Sequence, residues 1–190
     1  IEVEGSKVEG EEGIEIGEKG ELKQEGLEIK SKETGLIYKG EGKEEIKGIV
    51  IKSEGAAIIS EGKEIKIEGS KIEGEIGVEG IGEIEVRESE VGGIGVRNKG
   101  QVIIKNSKIR GEEIRGEGDS ELLIRDSEME MEGRVVIDNS AKVKIEGSKI
   151  ESGEGVVKRG TEVTKIEGSK VVSKETGIRI EEGIIEVEGS

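Results

Sequence analysis

Apolar and charged residues alternate in short bursts along this chain, as in Ile65-Lys66-Ile67, Val143-Lys144-Ile145 and Ile185-Glu186-Val187. A period of two puts one set of side chains on one face of a β-strand. Each burst is closed within a few residues by Gly-Ser or an equivalent pair. The pattern therefore predicts many short strands separated by sharp bends.

The bursts belong to one repeat. Ile145-Glu-Gly-Ser-Lys-Ile150 recurs at Ile67–Ile72, and with Val substitutions at Ile166–Val171 and Val3–Val8. With the Ser as anchor, and the duplicate Ser31-Lys-Glu-Thr-Gly35 and Ser173-Lys-Glu-Thr-Gly177 aligned, the anchors fall at Ser6, Leu27, Ile49, Ser70, Ser89, Ser107, Ser127, Ser148, Ser169 and Ser190. Successive steps are 18 to 22 residues. A repeat of this length that cannot bury its apolar face alone is the mark of a solenoid.

The column before the anchor reads Gly5, Gly26, Gly48, Gly69, Glu88, Asn106, Asp126, Gly147, Gly168 and Gly189. All but Glu88 are residue types that tolerate positive φ, which predicts a left-handed bend once per coil. The column two after the anchor is apolar from Val8 to Val171, and the columns three and five before it are mainly apolar. A further apolar run follows in each coil, for example Ile14 with Ile16, Ile94 with Val96, Val135 with Ile137, and Ile178 with Ile180. The expected fold is all-β: one single-stranded parallel β-helix (β-solenoid) over residues 1–190, right-handed by the general preference for right-handed crossovers. It has about nine coils of 18–22 residues, three short strands per coil, and at roughly 4.8 Å per coil a length of roughly 43 Å.

Composition agrees. Ile, Val and Leu number 30, 17 and 5 of the 190 residues, above the roughly 20% below which disorder is the default reading. Pro, Cys, His, Phe and Trp are absent, and Tyr38 is the single aromatic. Missing Cys and His remove thiol and imidazole nucleophiles, disulfides and Cys/His zinc sites. A net charge of −15 disfavours nucleic acid and anionic membrane partners. No stretch reads as a leader or a spanning segment, so a soluble chain is expected, of no assignable compartment.

The coil resembles those of right-handed parallel β-helices of the pectate-lyase type, with short strands meeting at a tight bend, and the resemblance covers the whole chain. Such proteins commonly carry asparagine ladders, stacked aromatics, a capping helix and long inserted loops, none of which is evident here. The near-minimal turns and the Glu/Lys/Ile/Gly vocabulary resemble a computationally designed protein built on an idealised backbone.

Pectate-lyase-like enzymes use acidic calcium ligands with a catalytic Arg, and related hydrolases use clustered Asp. Asp occurs here only at Asp119, Asp126 and Asp138, and Asp126 is accounted for by the bend column. The Gly-Gly-x-Gly-x-Asp nonapeptide of calcium-loaded β-rolls and the phosphate-binding glycine loops are missing. The outward columns, such as Glu45, Lys66, Glu85 and Lys144, carry charges that often oppose one another a coil apart, which predicts solvated ion-pair ladders. Ile103 and Leu123 form an apolar pair in that charged column, read as a contact between coils. Gln24 and Glu44 fall in apolar columns, and a register change near Lys43–Glu45 is expected to turn Glu44 outward, since burying a carboxylate is costly.

No catalytic, cofactor-binding or metal residue is nominated, no cofactor and no specific partner. The expected role is a structural repeat scaffold with no biochemical activity; the alternative is a natural extracellular β-helix module binding carbohydrate or calcium. The segments Ile1–Ser6 and Ile185–Ser190 are identical and in the same phase, and neither shows a capping helix. Exposed strand edges at the terminal coils therefore predict end-to-end self-association.

Overall fold

The computed structural model describes residues 2–80, 82–93, 96–98, 100–116, 121–138 and 142–189. Of the residues singled out above, Ile1, Ile94, Asp119 and Ser190 lie outside that set.

Every strand pairing among the described residues is parallel and joins a strand to its counterpart one coil on, so the chain is a parallel β-solenoid, and the described residues contain no helix. In the first position of each coil lie Lys43–Lys47, Glu64–Glu68, Glu83–Arg87, Gln101–Lys105, Glu121–Arg125 and Lys142–Glu146, stacked in unbroken register. The second position holds strands such as Val50–Ser53, Lys71–Glu73 and Lys149–Ser152. The third holds Ala56–Ser60, Ile76–Gly80 and Val96–Asn98. Elsewhere strands merge, as in Lys7–Ile16, Glu28–Tyr38, Glu128–Asp138 and Ile178–Glu188, where the corner between them is shallow enough to keep the ladder going.

The apolar columns become continuous stacks. Val8, Ile29, Ile51, Ile72, Val91, Ile109, Met129, Ile150 and Val171 are successive register partners, and the seven inner members are at most 1% exposed. With the columns of Ile65 and Ile67 they form one narrow core running the length of the rod. A fully buried Ile or Val contributes about 1.5–3 kcal/mol; the stacks thus make each coil's stability depend on its neighbours.

The bend column takes one conformation throughout: all ten residues have φ between 48° and 62°, including Glu88 at 49°, Asn106 at 48° and Asp126 at 49°. The bend is required by the corner itself, and Glu88 adopts it without the tolerance of glycine. Ile103 and Leu123 are direct register partners, the contact between coils expected of them.

Glu44 does not behave as expected. Lys43↔Glu64, Glu44↔Ile65 and Glu45↔Lys66 pair without a shift, so Glu44 stays in the apolar column and is 5% exposed. Its carboxylate accepts the backbone N–H of Leu22 at 3.3 Å, one hydrogen bond that partly offsets burial. Gln24, in the neighbouring coil, donates its amide to the Lys47 carbonyl at 2.7 Å.

Candidate functional site

Three sets of polar side chains are candidates for function: the serine anchors, the charged outward columns, and an open cleft at the second corner of the coil.

The serines form a ladder. Following the bend residue, each anchor's backbone turns its hydroxyl back over the preceding strand. Ser70, Ser89, Ser107, Ser127, Ser148 and Ser169 donate to the carbonyl two residues earlier at 2.6–2.9 Å. The same oxygen accepts the backbone N–H of the anchor in the preceding coil, from Ile49 N–H→Ser70 at 3.3 Å to Ser148 N–H→Ser169 at 3.1 Å. All six serines are at most 6% exposed. Both functions of each of these six hydroxyls are thereby used, and none of the six faces solvent. The sequence shows where the serines sit, but the ladder was missed there, because its partners are about twenty residues apart.

The outward columns are ion-paired along the rod. Lys66 bonds Glu45 at 2.9 Å, Lys108 bonds Glu128 at 3.1 Å, and Lys165 bonds Glu186 at 3.2 Å. Hydrogen bonds from Lys66 first and Lys47 second hold the Glu45 carboxyl down at about 2. Such exposed pairs each contribute little to stability.

The cleft has a volume of about 960 Å³ and runs alongside several coils past Gly93, Gly111, Met131 and Ser152, flanked by Arg110, Glu130 and Lys174. It opens where the residues four after the anchors lie; these are Gly10, Ser31, Ser53, Gly74, Gly93, Gly111, Met131, Ser152 and Ser173, small at every coil but one. That column was the available signal, and it was not read. Arg110 donates to Glu130 at 2.7 Å and Lys108 reaches the same carboxylate at 2.8 Å, which holds Glu130 at about 2 through Lys108 first and Arg110 second. The cleft is open, with charge pairs at its rim and a lining more apolar than polar.

Among the described residues no group of three or more His, Cys, Asp or Glu side chains is placed to hold a metal ion. Met129 and Met131 are core residues, 0% and 5% exposed. Tyr38, 2% exposed, is a core residue too, and burial pushes its phenol up. Lys158 is fully buried in the third-strand column and missed by sequence reasoning; burial pulls its amine down, against the opposing effect of Glu162 and Glu182.

Parallel coils, an inward Ile/Val core and a left-handed bend at each first corner define the class: a parallel β-helix. The family described as Periplasmic copper-binding protein (NosD) matches residues 9–186, and the chain belongs to this family of right-handed parallel β-helices. No curated protein and no solved structure matches the chain.

Proposed function

We propose that this chain is a structural β-helix scaffold without catalytic activity. The serine ladder carries the reading: six consecutive buried hydroxyls each donate within their own coil and accept a backbone N–H from the coil before. The ion pairs running along the outer columns support it, since they also join one coil to the next. The reading includes a designed origin, supported by one bend geometry used at every coil and by the restricted residue vocabulary.

The family's description names copper, and the donor set here does not fit it. Copper is held by imidazole, thiolate and thioether ligands; the chain has no His or Cys, and of its two methionines Met129 is buried in the core and Met131, beside the cleft, is a single thioether only 5% exposed. Titration calorimetry with Cu(II), and with Cu(I) under reductant, is expected to show no saturable event. A one-to-one event with either ion overturns the scaffold reading.

The cleft beside Gly93, Gly111 and Met131 favours a second reading, a module that lays an extended carbohydrate along its axis. No aromatic platform lines it, so binding would rest on Arg110, Lys174 and the flanking carboxylates. An oligosaccharide array, with Arg110→Ala as control, separates the readings: binding lost in that variant establishes the module.

A further inference from the structure

The outer face of the first-position strands breaks its own charge pattern in one place. In the column four before the anchors, the register partners Glu45, Lys66 and Glu85 alternate in sign, and then come Ile103, Leu123, Lys144 and Lys165. In the column six before them, Glu64, Glu83, Gln101, Glu121 and Lys142 give way to Val163. Leu122, Ile124 and Thr164 point into the core at 2% exposure or less, so the alternation of the strand turns Leu123 and Val163 outward. Two lysines stacked a coil apart are mutually repulsive. Neither the outward apolar residues nor the like-charged stack is needed for the coil, because the other coils do without them.

Both departures line a single cavity of about 370 Å³, within the range of small-molecule pockets. Leu123 and Val163 stand on a diagonal two coils apart, about 9.6 Å at the ordinary strand spacing. Lys142 and Lys144 occupy the positions between them, with Arg125 and Lys165 beside. These four cations share the lining with only two carboxylates, Glu121 and Glu162, and Glu121 already accepts the Gln101 amide at 2.8 Å. The acids that pair with Arg125, Lys144 and Lys165 are Glu146, Glu167 and Glu186, which lie off the cavity. Lys142 has no ion pair among the described residues. In a chain of net charge −15 this is a local excess of cation around an apolar floor. The three coils concerned are each paired to a further coil on both sides.

We infer that this cavity binds a single-chain anionic amphiphile, a fatty carboxylate. The head group lies among Lys142, Lys144 and Lys165, and the alkyl chain lies over Leu123 and Val163. The lysine stems add apolar cover while their ammonium groups stay at the water. Size selects this occupant, since a protein partner needs about 800 Å² of face.

The probe is decanoate, titrated into the full chain by calorimetry at about 0.15 M salt, where a Debye length of about 8 Å screens the distant carboxylates. The expected result is saturable one-to-one binding. Octanoate should bind about fifteenfold more weakly, at roughly fourfold per methylene, and acetate and decyltrimethylammonium should not bind. Leu123→Lys, which installs the residue that Lys66 and Lys144 supply in the same column, should weaken decanoate about tenfold or more with an unchanged circular dichroism spectrum. Lys142→Gln, which breaks no ion pair, should weaken it about two- to fivefold, and Lys66→Gln should leave it unchanged. Phosphatidylglycerol vesicles should not capture the chain. The site is overturned by absence of saturable decanoate binding, by equal affinity for decyltrimethylammonium, by a Leu123→Lys variant that binds as the parent does, or by capture on vesicles without decanoate binding.

Discussion

The hydroxyl of Ser127 accepts the backbone N–H of Ser107 at 3.3 Å while donating to the Arg125 carbonyl at 2.7 Å. One small side chain thus ties together two corners of successive coils. This is how the rod satisfies the backbone amides left over at its bends.

Removing that oxygen leaves the Ser107 amide buried with no acceptor. Ser127→Ala should cost about 1–3 kcal/mol, read as a lower midpoint in urea with an unchanged slope. Ser6 is exposed, and its hydroxyl bonds its own Glu4 carbonyl. Ser6→Ala should stay within about 0.5 kcal/mol. Equal losses at the two sites would remove the ladder's special role.

The bend column offers a test in both directions. Gly147 has φ 55°, and Gly147→Val should cost about 1–3 kcal/mol because a β-branched residue is strained there. Its new Cβ would also come 2.5 Å from Asp126 Oδ1, though that carboxylate can swing away. Glu88 already bears the strain at φ 49°, so Glu88→Gly should gain about 0.5–1 kcal/mol. Thermal melts of the two variants should move in opposite directions.

Glu44 makes the rod respond to acid at one point in an unusual sense. Burial first, opposed by the Leu22 hydrogen bond, raises its carboxyl above the ordinary range. The folded state therefore favours the protonated form. Its contribution is fully present below the unfolded pKa and is lost as pH rises through the folded one. Glu45 and Glu130, held at about 2, act in the opposite sense, contributing above the unfolded pKa and losing it as pH falls toward 2. Glu44→Gln keeps the shape and an acceptor for Leu22. Stability of this variant relative to the parent should be greatest at neutral pH and shrink as the pH is lowered; a difference that is flat from pH 7 to 4 refutes the assignment.

Lys158 titrates the other way. Burial lowers its amine, so the charged form is disfavoured in the fold and stability rises as pH climbs from the folded pKa toward 10.5, the ordinary value. Lys158→Met preserves the length of the side chain and removes the charge. It should be neutral or stabilising by about 1–4 kcal/mol near neutral pH, as seen when buried charges are replaced by packed apolar groups, and it should abolish the alkaline gain. A clear loss of stability would show that the amine's polar contacts outweigh its desolvation.

Local pattern was enough wherever a residue's role depends on its own coil. The period of two placed Ile65 and Ile67 inward, and the bend column was legible because Gly, Asn and Asp share a backbone tolerance. Even Glu88, which breaks that chemistry, was located by its position in the repeat. The ion-paired columns were legible for the same reason, as with Lys66 and Glu45. Glu44 was misjudged because cost was used to infer register. A carboxylate in an apolar column suggests a slip, yet a slip at Lys43–Lys47 would have misplaced Ile46 and every pairing beside it. Keeping five residues in register outweighs one buried acid with a hydrogen bond.

The sequence by itself determined the parallel coil, its step of 18 to 22 residues, the left-handed first corner and the inward Ile and Val, because each follows from spacing and from conformational preference along one coil. Only the tertiary structure decided that the serines are a hydrogen-bonded ladder, that Glu44 and Lys158 are buried, and that Gly93, Gly111, Ser152 and Ser173 edge a cleft. Those properties belong to pairs of residues about twenty positions apart, which become neighbours only when the coils stack.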